Sequence, residues 1–342
     1  MRRTFLAVIV GVVTFSAHAD AQGAASEKIS IVVSGTEKMI YLPVLFAESQ
    51  GYFKDEGLNV ELFDSESGID SEDRMLTGTV QGVIGFYDHC ITLQAKGKFV
   101  KSVVQLGQTP GEVELVSSKV RGVGSLADLK GMNLGVTGLG SSTKQITQYL
   151  MSKAGVRPGE YQIVPAGAGR VFGAALKQGE IQAGMTTDPT VTALVEKAEA
   201  EVLVDLRSFA GVTAAFGGPY PGAALYVPDS WAQQNQESVQ KLVNALVRAL
   251  KFIHAHSAEE IIEQMPNEYV ADRKMLYVKA LAAGKSIFTQ DGMMPENGPE
   301  TVLHVLSQVS KVVKDKNIDL SKTYTNEFVR HAQAKRTLTG AE

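Results

Sequence analysis

Cysteine and tryptophan are nearly missing from this chain: one of each occurs in 342 residues. A lone Cys90 cannot close an intrachain disulfide or supply a structural zinc or iron–sulfur site. Free cysteine is among the most buried residue types, so Cys90 reads as a small core thiol and not as a nucleophile. A basic excess is missing too. The formal charge is −4, which speaks against a nucleic-acid partner and gives no reason to expect adhesion to anionic lipid. No apolar run is long enough to span a bilayer, so no membrane insertion is expected. What remains is an ordinary globular composition, 44% hydrophobic and 20% charged, long enough for two α/β domains with real cores.

The first residues carry a leader signature. Met1-Arg2-Arg3 is a basic start, Phe5 to Phe15 an apolar run, and Ala17-His18-Ala19 or Ala19-Asp20-Ala21 a small-residue cleavage site. We expect a signal peptide over 1–21, cut near Ala19 or Ala21, and a periplasmic location. Arg2-Arg3-Thr4-Phe5-Leu6 faintly resembles a twin-arginine leader, with the general secretory route preferred.

One segment occurs twice. Leu76, Gly78, Val80, Gln81 and Ile84 fall, with a one-residue gap, on Leu176, Gly179, Ile181, Gln182 and Met185. Each copy reads as a helix end, a glycine C-cap, a short apolar strand and a polar loop ending in aspartate, Asp88 or Asp188. Strands and helices alternate around both copies, with strands over 28–33, 58–63 and 100–106 and again over 133–137, 161–165 and 201–206. That alternation predicts mainly parallel sheets. We therefore expect an α/β protein of two similar lobes with helices on both sheet faces. Lobe I takes 28–117 plus 223–338, and lobe II, 118–222, is inserted. Strands 113–118 and 223–227 are expected to be paired crossings that form a hinge. Residues 217–222 are a turn-dense loop. The C-terminal part is helical: Val239, Leu242, Val243, Leu246, Leu250 and Ile253 share one face. Further helices are predicted over 257–265, 271–283, 297–315 and 324–335.

Several segments resemble a known family. Tyr41-Leu-Pro-Val and Gly51-Tyr-Phe-Lys-Asp-Glu-Gly-Leu-Asn-Val-Glu61 look like the opening of the nitrate/sulfonate/taurine periplasmic binding proteins, which are related to thiamine-pyrimidine precursor binders. The resemblance continues through Ser125-Leu-Ala-Asp-Leu-Lys-Gly131, Gly138-Leu-Gly-Ser-Ser-Thr143 and Thr186-Thr-Asp-Pro189. It implies a type II periplasmic-binding fold whose lobes close over a small molecule, with an ABC permease and its ATPase as partners.

Gly138 to Thr143 is the strongest local candidate. Glycines after a strand let the backbone approach a ligand, and a helix N-terminus favours an anion. Ser141, Ser142 and Thr143 add hydroxyls, and one of the serines also caps the helix. Tyr87-Asp88 and Thr187-Asp188 follow the two repeated strands, where ligands of α/β sheets sit. Both aspartates read as helix caps in preference to ligand contacts. If one faces the cleft, a zwitterion such as a taurine-like molecule fits, its anion on the serine loop. Met39 and Tyr41 lie in a loop that the resemblance puts on the ligand, although core packing accounts for Tyr41 equally well. Gln108 and Glu112 sit at the first crossing and Tyr220 at the second, serving ligand or hinge. His254 and His256 lack metal-ligand spacing, and His89 and Cys90 are adjacent on a helix and diverge. No catalytic constellation and no cofactor site emerges.

The expected function is an exported, monomeric, solute-binding component of an ABC importer, not an enzyme, taking a small anionic or zwitterionic solute. A thiamine-pyrimidine-type or aromatic carboxylate ligand is the alternative, as is an enzyme of pyrimidine synthesis on the same fold. Export and the lack of a cysteine-rich iron segment argue against that enzyme.

Overall fold

The protein is described by a computed structural model over residues 28–65, 68–270 and 273–339. The expected leader lies outside these residues. Ten strands occur among them: β1 Lys28–Val33, β2 Asn59–Asp64, β3 Gly82–Phe86, β4 Val100–Gln105, β5 Glu112–Ser117, β6 Asn133–Val136, β7 Gln162–Pro165, β8 Ala183–Thr187, β9 Ala200–Asp205 and β10 Ala223–Pro228. One sheet has the order β2-β1-β3-β10-β4 and the other β7-β6-β8-β5-β9.

The two orders are the same order. In each sheet three parallel strands are followed by one reversed strand, β10 or β5, that pairs antiparallel on both sides. The repeated segments are β3 and β8, which are central and wholly buried. Parallel strands covered on both faces need near-continuous apolar runs, and Ile31, Val32 and Val33 of β1 supply one.

The expected hinge needs correction. Segments 113–118 and 223–227 do not pair with each other; β5 belongs to the second sheet and β10 to the first. Lobe I is thus built on 28–105 with 223–339, and lobe II on 112–205. The crossings lie just outside those strands, at 106–111 and 206–222, and they are tied together at both ends. Gly222 N donates to Gly107 O at 3.0 Å, and Gly111 N donates to Leu206 O at 3.2 Å. An apolar run such as Val113 to Val116 identifies a strand but carries no label for its sheet, which is why the boundary fell on the wrong side.

Helix Gln236–Ala255 buries Val239, Leu242, Val243, Leu246, Leu250 and Ile253 as the stripe predicts. It packs against helices Leu42–Ser49 and Glu327–Thr339, and Phe46 stacks on Phe252 at 4.8 Å between centroids. Each such side chain contributes about 1.5–3 kcal/mol on full burial. Two helical expectations change. Helix Gly298–Val309 ends before residue 315, and helix Phe209–Phe216 occupies a span for which no element was predicted. Ser208 caps the latter and Gly217 ends it in the left-handed region, signals present in the sequence. No helix among the described residues is long and apolar enough to cross a membrane.

Candidate functional site

The C-terminal ends of β1, β3, β6 and β8 face one gap between the lobes, so the loops that follow them build its walls. The gap narrows to a cavity of about 30 Å³. Ser34, Lys38, Tyr41 and His89 line it from lobe I, and Ser142 and Thr187 from lobe II. Glu112, at the crossing, also lines it.

The lobes touch across this gap. Ser142 Oγ donates to Asp88 Oδ1 at 2.8 Å, and both residues are buried. Met39 N donates to Asp188 O at 2.9 Å. At the rim Lys279 pairs with Glu196 at 2.5 Å, an exposed contact of little energetic weight.

The serine loop is largely occupied by its own hydrogen bonds. Ser141 Oγ caps the helix Ser142–Lys153, accepting from Lys144 N at 3.4 Å, and donates to Gly138 O at 2.6 Å. Thr143 Oγ1 accepts from Thr137 N at 3.0 Å, and the Ser142 hydroxyl is turned to Asp88. The positive end of this helix still faces the cavity, because Ser142 and Thr143 line it.

The paired aspartates diverge in use. Asp188 Oδ1 accepts from Thr192 N at 3.0 Å and from Thr192 Oγ1 at 2.6 Å, and Oδ2 accepts from Arg207 at 3.0 Å. It therefore braces the first turn of helix Thr190–Glu196, although Pro189 and not Asp188 holds the N-cap position. Asp88 instead reaches over the gap to Ser142. Burial pushes its carboxyl above the ordinary range, against the lowering charge of His89 and the Ser142 hydrogen bond.

Three other candidates stand apart from the cavity. Tyr87 is wholly buried in lobe I with its hydroxyl on Thr323 Oγ1, so it points away from the cleft. Gln108 Nε2 donates to Ser286 O at 2.8 Å and thereby fastens the crossing to the C-terminal helical region. Tyr220 is wholly buried and packs on Phe216 at 4.7 Å. The Met39 side chain is buried in the lobe I core, while Thr187 Oγ1 donates to Gly111 O at 2.9 Å.

Sequence reasoning missed Lys38 and passed over His89 as a functional residue. Lys38 is buried beside the cavity, and its Nζ donates to Ser34 O at 2.6 Å. Burial lowers the ammonium to about 8, against the raising charges of Glu112, Glu37 and Asp64. His89 pairs through Nδ1 with the buried Glu72. Burial works against its protonation, yet the charges of Glu72 and Asp88 lift it to about 9. A Cβ at Gly68 would lie 2.4 Å from His89 Nε2, so glycine is what lets the chain pass over the imidazole. Cys90 is buried, and burial pushes its thiol up, in keeping with a core residue.

Two lobes of one topology, linked by paired crossings and meeting over a buried polar cavity, make up a periplasmic-binding-protein fold. The chain belongs to the NMT1/THI5-like family, whose profile matches residues 39–260. A solved structure from Bordetella bronchiseptica RB50 is 34% identical, covers 91% of this chain and 98% of its own, and superposes with a TM-score of 0.85. The alkanesulfonate-binding protein SsuA from Xanthomonas axonopodis pv. citri, solved bound to MOPS, shares the fold at 15% identity and a TM-score of 0.70, covering 88% of this chain and 99% of its own. A 4-amino-5-hydroxymethyl-2-methylpyrimidine phosphate synthase of Aspergillus parasiticus is 25% identical over 278 residues, 74% of this chain and 77% of that protein.

Proposed function

We propose that this protein is an exported solute-binding component of an ABC importer. It acts as a monomer, takes a small anionic or zwitterionic solute between its lobes and hands it to a membrane permease driven by an ATPase. The observation that carries this reading is the Ser142–Asp88 hydrogen bond, which joins the lobes over a cavity that both of them line. A ligand that touches both lobes favours the closed form by its extra affinity for it, and the paired crossings supply the hinge. The anionic end of the solute rests toward Lys38 and the N-terminus of Ser142–Lys153, where the helix dipole and an ammonium favour negative charge. Sulfonates and nitrate are the classes to which the fold's relatives direct attention.

The synthase relatives favour a second reading, a pyrimidine ligand or pyrimidine-forming chemistry on the same fold. Native mass spectrometry of the purified protein, followed by a thermal-shift screen of sulfonates, nitrate, carboxylates and pyrimidines, separates the two. A ligand at a hundred times its dissociation constant stabilises by about 2.7 kcal/mol, a readily visible shift. Turnover or cofactor absorbance in the purified protein revives the enzyme reading. A panel in which nothing binds and nothing closes the lobes in small-angle scattering overturns the transport reading.

A further inference from the structure

Helix Gly169–Gln178 of lobe II starts without help from its own neighbours. Ala168 holds the N-cap position, no side chain caps the first turn, and no acidic residue lies in it. Its first N–H groups and the positive end of its dipole are therefore unanswered within lobe II. The helix Ser142–Lys153 differs, since Ser141 caps it. What meets the uncapped start is Glu37, from the loop after β1 in lobe I. A Cβ on Gly169 would fall onto both carboxylate oxygens of Glu37, so the carboxylate sits against the bare glycine. Gly169 also has φ +57°, in the left-handed region that favours glycine. Glu37 makes no ion pair or hydrogen bond among the described residues. Arg170 of lobe II and Arg273 of lobe I line the same recess, so its surroundings are cationic on both sides of the gap.

We propose that Glu37 is a latch between the lobes: when they close, its carboxylate gives helix Gly169–Gln178 the N-terminal anion it lacks, and glycine at 169 leaves room for it. The closed form is thereby favoured by a contact that touches no solute. Glu37 is an exposed residue, so the contact biases closure and does not lock it. This rests on the hinge closure proposed above and not on the identity of the solute.

The test is small-angle scattering of the ligand-free protein as wild type, Glu37→Ser, Gly169→Ala and the double variant. Gly169→Ala is expected to enlarge the radius of gyration, because the new methyl takes the place of the carboxylate. In the double variant the radius is expected to return to that of Glu37→Ser, whose side chain is too short to be struck. The strain of alanine at a positive φ is common to both backgrounds and drops out of the comparison. Glu37→Lys, on an exposed loop, is expected to enlarge the radius too, and it stays readable if alanine at 169 prevents lobe II from folding. An alanine effect of equal size with and without Glu37, or a Glu37→Lys radius equal to that of wild type, overturns the latch. Closure of the Glu37 variants by a solute from the screen then leaves the solute-binding reading intact.

Discussion

Asp88 and Asp188 hold equivalent positions in the two lobes, yet the side chain of one bridges the cleft and that of the other braces its own lobe. The difference predicts different phenotypes. Removing the Asp88 contact through Ser142→Ala leaves lobe II folded and loosens closure, read as a larger radius of gyration in ligand-free scattering. Asp188→Ala leaves Arg207 to Asp205 alone, which it grips at 2.6 Å, and removes the acceptor of Thr192; the cost is about 1–3 kcal/mol in chemical denaturation. Glu114 gives a pH signature. It is wholly buried, accepting from Thr147 at 2.9 Å, and burial raises its carboxyl to about 8 against that hydrogen bond. Unfolded, it titrates near 4.5, so between those values the unfolded chain has lost a proton that the folded chain keeps. Its contribution is therefore complete below about 4.5 and is lost as pH rises to about 8, at up to ~1.4 kcal/mol per pH unit. Glu114→Gln should flatten this part of the stability profile in thermal melts across pH 5 to 9. At this scale the sequence was legible where chemistry is local. A serine cap at Ser141 or Ser142 follows from its neighbours, and Ser141 holds it, whereas the Glu72–His89 pair joins different helices and leaves no local trace. Tyr87 was placed by its loop position, which does not fix the direction of a side chain.

Among the elements, the central strands are spaced by glycine. Gly135 of β6 faces Gly184 of β8, and a Cβ on Gly184 would sit 2.5 Å from the Gly135 carbonyl oxygen. Backbone offers no flexible end that can yield. Gly184→Ala should therefore separate β6 from β8 and destabilise lobe II by about 1–3 kcal/mol, seen as an earlier midpoint in urea. Most strands were readable because parallel, doubly covered strands need unbroken apolar runs, and the long Gln236–Ala255 helix because its stripe repeats over five turns of spacing. Helix Phe209–Phe216 escaped notice because its apolar residues run almost without interruption and show no amphipathic period, leaving only Ser208 and Gly217 to mark it.

For the molecule as a whole, the duplication was visible from the repeated segment, and the sheet orders extend it to five strands in each lobe. The cleft was legible too, since equivalent loops after equivalent strands must face each other when two such sheets meet. What the pattern could not assign was the membership of β5, expected in lobe I and found in the second sheet, because pairing partners are set by distant parts of the chain; β10 falls in lobe I as expected. In the proposed closure the crossings are the parts that bend. A Cβ on Gly222 would lie 2.6 Å from Thr109 O, against the other crossing. Gly222→Ala should hold the crossings apart and weaken ligand binding about tenfold, equivalent to about 1.4 kcal/mol, with the melting of lobe II unchanged. Calorimetry on whichever solute the screen identifies checks it.

The placement of β10 has a consequence for the order in which the protein comes into being. Every strand of the second sheet lies in one continuous stretch, 112–205, so that sheet can be completed as soon as the stretch is free to fold. The first sheet cannot. Its strands β3 and β4 are separated by a slot that only residues 223–228 fill, and these arrive after all of lobe II. The lobe that begins the chain is thus the last to be finished, and a chain cut short before residue 223 is left with two unpaired strand edges at the centre of its larger lobe, where any other extended segment finds a place to pair.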